Sequence, residues 1–183
     1  MKPLVVSVDF GSLSRRRFLK YGLSAAAFVT MGGVGSMLAL RGRAPDVDGL
    51  RVLTAHEYRT LARLAEAIFP AGGAFPLGAA DLDLARAFDA FLADEPPWNV
   101  EDLRRALVLL EFGPVVFERR LATFSHLDAD ERLAHFTRWT VADSVLRRQA
   151  AAALRTFLVT RFYDRPEAWA HVGYEGPLVN VSG

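Results

Sequence analysis

Apolar positions along this chain fall into helical registers from residue 54 onward. Leu61, Leu64, Ala65 and Ile68 share one face at three- and four-residue spacing, the signature of an amphipathic helix. Thr54 and Glu57 stand ahead of them at capping-box spacing. There a Thr oxygen and a Glu carboxylate satisfy the free amides of the first turn. Pro70 and Gly72-Gly73 stop this helix, because neither residue type sustains one. Leu84, Ala85, Phe88, Phe91 and Leu92 mark a second helix, closed before Pro96-Pro97. Asn99 with Asp102 opens a third that runs to Leu110 or Phe112. Gly113-Pro114 is expected to break or kink it before Val116, Phe117 and Leu121 continue. Asp128 and Glu131 repeat the capping spacing ahead of Leu133, Phe136 and Trp139. The last long helix is expected from about Asp143 to Tyr163, burying Leu146, Ala150, Ala153, Leu154, Phe157 and Leu158. Asp164-Arg165-Pro166 ends it, and the glycine- and proline-punctuated remainder reads as an irregular tail.

No segment alternates apolar and polar residues for long enough to predict a strand, and no internal repeat stands out. The pattern predicts an all-α protein. Its plan is a single compact helical domain of about five to seven helices over residues 44–183, preceded by an N-terminal signal or anchor helix within residues 1–43. Roughly 140 residues bury about two thirds of their unfolded surface, enough for a core without a cofactor.

The first 43 residues follow different rules. Ser14, Arg15, Arg16, Arg17, Phe18, Leu19 and Lys20 precede twenty uncharged residues, Tyr21 to Leu40. A basic flank ahead of an apolar run is the shape of an export signal. The residues Ser14, Arg15, Arg16, Phe18, Leu19 and Lys20 match the bacterial twin-arginine (Tat) pattern S-R-R-x-F-L-K at every fixed position. Four glycines dilute the run (Gly22, Gly32, Gly33, Gly35), which suits a signal that avoids the general secretory route. Processing requires small residues three and one positions before the cut. Gly42-Arg43-Ala44 offers that arrangement, but Pro45 follows it and should block cleavage there. Residues 33–36 offer only weak sites. Twenty helical residues span about 30 Å, the thickness of a bilayer's hydrocarbon core. The expectation is an anchor that is retained, or cleaved slowly, with residues 44–183 outside the cytoplasm.

Charge sharpens this division. Residues 1–43 carry seven basic residues and one acid, leaving fifteen arginines against twenty acids in residues 44–183. A domain of that sign has nothing to neutralise phosphate, so no nucleic-acid partner is expected. The chain has no cysteine, which excludes disulfides, thiolate zinc sites, cysteine-held iron–sulfur clusters and covalently attached c-type haem.

Catalytic patterns are absent as well. His56-Glu57 opens a zinc-protease motif, but Thr60 stands where the second histidine belongs. His135 has Arg132 in place of the glutamate of a di-iron helix. Gly33-Val34-Gly35 is followed by Leu38 and belongs to no βαβ unit. No phosphate-binding loop and no nucleophile elbow occurs. The four histidines (His56, His126, His135, His171) read as surface or capping residues. No catalytic, cofactor-binding or metal-ligating residue is assigned.

A signal for exporting folded proteins on a chain without a cofactor site makes sense if the chain carries something else. Aromatic side chains dominate binding hot spots, and Phe162, Tyr163, Trp169 and Tyr174 cluster near the C-terminus. With Gly173, Gly176 and Pro177 they form the candidate partner interface, although Trp169 could equally fold back on its own bundle.

At this point the chain resembles a known family. The Tat signal, Leu53-Thr54-x-x-Glu57, Ile68-Phe69-Pro70, and Arg132 to Trp139 with Ser144 occur in that family's order. So does Phe162-Tyr163-x-x-Pro166-x-x-Trp169-x-x-x-Gly173-Tyr174-x-Gly176-Pro177. Together they resemble the gluconate 2-dehydrogenase subunit 3 family, over about residues 14–178. The resemblance implies a small, non-catalytic subunit on the periplasmic side of the bacterial inner membrane. Its partner would be an FAD-dependent large subunit of the glucose–methanol–choline (GMC) type, which oxidises a sugar, sugar acid or alcohol. A multihaem cytochrome c subunit is a further implied partner, and the Tat translocase reads the signal. The alternatives are a membrane-anchored scaffold without a carrier role and a small stand-alone helical enzyme with a site assembled from scattered His, Asp and Arg.

Overall fold

The computed structural model describes residues 39–72 and 76–176. Six α-helices occur among them: α1 (Ala55–Ile68), α2 (Leu84–Leu92), α3 (Pro97–Glu118), α4 (Ala129–Thr140), α5 (Val145–Tyr163) and α6 (Pro166–Val172), with a 3-10 turn at Phe124–His126. The described residues contain no strand, and the fold is all-α.

Both capping boxes form. The Thr54 hydroxyl accepts from the Glu57 amide while Glu57 accepts from the Thr54 amide at 2.8 Å. Asp128 and Glu131 do the same for α4. Glu57 is used twice, because its carboxylate also accepts from Arg104 Nε of α3 at 3.0 Å. A local cap thereby becomes a link between helices. Ser144 caps α5.

The helices α1 and α5 each pack on α2, α3 and α4. Leu61 and Leu64 of α1, Phe88 of α2, Leu103, Leu107 and Leu110 of α3, Trp139 of α4 and Leu154 and Leu158 of α5 form one continuous core. The ends of α1 and α5 meet through Phe69 and Phe162, whose rings stack at 4.1 Å with 2° between planes. The stretch leading into α1 is fixed too. Both carboxylate oxygens of Asp89 on α2 accept from three successive backbone amides, those of Arg51, Val52 and Leu53, at 2.6 to 3.0 Å.

Five expectations are corrected. The third helix starts at Pro97, a residue preorganised for a first helical position, and Asn99 bonds Glu95 instead of capping. That helix does not stop at Gly113-Pro114 but runs on to Glu118. Proline disfavours helix at the preceding residue through a clash that involves that residue's Cβ; Gly113 has none. Only one turn follows before Arg119 closes the helix in a left-handed conformation. Leu121 therefore lies beyond the helix and is 87% exposed. On α4 the buried positions are Arg132, His135, Phe136 and Trp139, while Leu133 is exposed. Lastly, the tail contains the short helix α6, with Pro166 in its first turn and Gly173 closing it at φ 67°.

Gly113 also makes room for two rings carried by α4, those of His135 and Trp139. A Cβ there would lie 2.7 Å from His135 Nε2 and 2.8 Å from Trp139 Cζ2. Both rings are buried and cannot withdraw without opening the core. Gly113→Val is expected to lower unfolding free energy by about 2–3 kcal/mol, measured as a fall in the urea midpoint at unchanged m-value.

Candidate functional site

Buried ionisable groups are the natural place to look for chemistry. Glu111 of α3 is fully buried. It accepts from the Thr60 hydroxyl at 2.9 Å, the Ser125 hydroxyl at 2.7 Å and the Ser125 amide at 3.1 Å. Thr60, which interrupts the zinc-protease pattern in the sequence, is thus a partner for a core carboxylate. His135 is also fully buried, against the expectation of a surface or capping histidine. Its Nδ1 lies 2.6 Å from Glu118 Oε1, and Arg138 grips the same carboxylate at 2.8 Å. A carboxylate only accepts, so Nδ1 carries the proton and Nε2 faces the core unpartnered. Of the other histidines, His126 and His171 are exposed and His56 is half-buried.

These groups do not converge. Among the described residues no three His, Asp or Glu side chains are grouped to hold a metal ion. A recess of about 140 Å³ is bordered by Tyr58, Ala62, Glu66, Ala80 and Asp83. It is smaller than the roughly 300 Å³ at which small-molecule pockets begin. Its Tyr58 hydroxyl donates to Asp83 at 3.2 Å, and burial together with that carboxylate raises the phenol above its ordinary value.

The C-terminal aromatic residues do converge. The Trp169 indole donates to the Tyr163 carbonyl at 2.8 Å and meets the Tyr174 ring edge-on at 5.3 Å. Gly176 packs beneath, where a Cβ would come within 3.3 Å of the indole. Tyr174, just after the left-handed Gly173, is 48% exposed, and Tyr163 is 40% exposed. Trp169 is half-buried, folded back on the end of α5. Phe162 differs from this group: at 1% exposure, stacked on Phe69, it belongs to the core and offers no surface. The aromatic corner is therefore Tyr163, Trp169 and Tyr174.

Sequence reasoning missed a second exposed apolar area. Val116 and Phe117 end α3, and Val141 and Val145 flank the turn between α4 and α5, all at least 40% exposed. Phe117 meets Trp139 edge-on at 6.0 Å, and the Arg147 guanidinium covers its ring at 4.8 Å.

Ser14, Arg15, Arg16, Phe18, Leu19 and Lys20 lie outside the described residues, as do Pro177 and most of the apolar run. Among the described residues no helix is long and apolar enough to cross a membrane. Comparison with protein-family models, curated proteins and solved structures gives no match to this chain.

The His135–Glu118 pair makes stability depend on pH. Burial holds His135 below the usual histidine value of 6.5, outweighing the Glu118 carboxylate, which pulls the other way. Burial would raise Glu118, but hydrogen bonds from Arg138 and His135 prevail and hold it below its ordinary 4.5. A histidine kept neutral by folding contributes fully above pH 6.5, and that contribution is lost as pH falls below it, because the unfolded chain binds the proton first. The Glu118 contribution persists above pH 4.5 and is lost as pH falls through its lower folded value. Urea midpoints should therefore drop between pH 7 and 5.5, and His135→Gln should flatten that slope.

Proposed function

We propose that this chain is the non-catalytic small subunit of a periplasmic, membrane-associated dehydrogenase complex. In this reading it stabilises a cofactor-loaded FAD-dependent subunit of the GMC type and escorts it through the Tat pathway. Residues 1–43 supply the export signal and, if retained, an N-terminal anchor helix in the inner membrane. Residues 44–183 supply the grip. The flavin and the oxidation of a sugar, sugar acid or alcohol belong to the partner, with electrons passing to a cytochrome c subunit.

The observation that carries this reading is the Ser14–Lys20 twin-arginine pattern ahead of an all-α domain. The translocase accepts folded cargo, and a partner lacking its own signal would need such a carrier. The exposed Tyr163–Trp169–Tyr174 corner has the chemistry of an interface anchor: large, rigid, amphipathic rings.

Two measurements test the proposal. With Arg15 and Arg16 both replaced by Lys, the chain and the flavin subunit should remain together in the cytoplasm. A flavin subunit that still reaches the periplasm refutes the carrier role. Tyr174→Ala should weaken retention of the flavin subunit on the affinity-purified chain by at least about tenfold, as expected for an aromatic hot spot. The melting temperature should hardly move, since Tyr174 lies outside the core. A colourless, solitary wild-type chain purified from membranes would refute the complex itself.

A further inference from the structure

The end of the N-terminal segment is seated on the folded domain. Arg59, on the middle of α1, donates Nη1 to the Arg43 carbonyl at 2.9 Å and Nη2 to the Arg41 carbonyl. His56 Nδ1 lies 3.2 Å from the same Nη2. Between the two captured carbonyls, Gly42 turns at φ +65°, and a Cβ there would lie 3.4 Å from His126 Nε2. The Arg41 guanidinium sits 5.7 Å over the Phe112 ring of α3, in the field of the buried Glu111 and Glu57 carboxylates. Two elements thus hold residues 41–43, α1 through Arg59 and α3 through Phe112, with His126 of the 3-10 turn beside Gly42.

Peptidases bind substrates as extended strands whose main-chain groups pair with the enzyme. Here the carbonyls of residues 41 and 43 are already taken, and Gly42 is left-handed. This is the stretch, Gly42-Arg43-Ala44, with the small-x-small pattern that processing reads. We propose that the folded domain clasps residues 41–43 in a shape that peptidases do not accept, which protects this solvent-exposed junction from proteolysis, so that the N-terminal segment stays joined to the folded protein. Pro45 blocks the bond after Ala44 chemically, and the clasp is a second, fold-dependent lock. The physiological meaning rests on reading residues 1–43 as an export signal, whereas the clasp itself does not.

Limited trypsin digestion of the full chain, purified in detergent, tests the clasp without reference to export. Cleavage after Arg41 and Arg43, followed by intact mass, should be about tenfold slower in the wild type than in Arg59→Gln, because cleavage tracks the population of the opened segment. Gly42→Val, which strains the turn without touching α1, should accelerate cleavage similarly and decides the matter if Arg59→Gln fails to fold. Equal rates in wild type and variants overturn the proposal. In cells, Pro45→Ala removes the chemical block. The exported Pro45→Ala chain should keep its N-terminus, and the Pro45→Ala/Arg59→Gln chain should lose it. Processing of Pro45→Ala alone overturns the proposal, and failure of every form to leave the cytoplasm bears on the export reading, with the trypsin result unaffected.

Discussion

Glu111 places a carboxylate in the middle of α3 with no exposure to solvent, and the bundle is arranged around its needs. Removing an ion from water costs several kcal/mol unless hydrogen bonds replace its hydration. Here the replacements come from two elements besides its own: a hydroxyl of α1, and a hydroxyl and an amide of the turn at Phe124–His126. Sliding α1 along α3 or reshaping that turn would strand the charge. The register of α1, α3 and the turn is thereby set by one side chain, and the apolar layer of Leu61, Leu64, Leu107 and Leu110 packs within that register.

What could be read from the sequence was what is local. Capping boxes at Thr54–Glu57 and Asp128–Glu131 form because each needs only four consecutive residues. The burial of Leu61, Leu64 and Leu154 follows from period alone. Pro114 misled in part because one of its disruptions, the clash with the preceding residue's Cβ, is absent at Gly113, a glycine that two rings from another helix also require and that no local pattern reveals. The same tertiary contact hides His135: its burial requires Glu118, seventeen residues earlier, and a glycine opposite. Leu133 and Arg132 exchange expected roles because α4 turns its arginine toward the Leu127 carbonyl at 2.8 Å. An apolar period cannot announce that.

The candidate interface was legible as a cluster but not in its division. Consecutive residues on a helix point about 100° apart, so Phe162 and Tyr163 at the end of α5 necessarily part company. One joins Phe69 inside; the other frames an outward corner whose indole is tied to its carbonyl. Pro166 opens a new helical turn after the break, which brings Trp169 back to Tyr163 and leaves Tyr174 outermost. The corner is thus tied together within the chain itself, by the indole's bond to the Tyr163 carbonyl and its edge-on contact with Tyr174.

The grip of Asp89 on the amides of residues 51 to 53 has a mechanical consequence. A chain towed by its N-terminus would load the hydrogen bonds of Arg59 first. If those yielded, residues 44–47 would extend, and tension would reach α2 first through Arg86, which donates to the Asp48 carbonyl at 2.9 Å, and then through three bonds to the Asp89 carboxylate. The fold thus meets a pull at three successive holds, Arg59, Arg86 and the Asp89 carboxylate, so traction need not be transmitted at once to the helices that frame the aromatic corner.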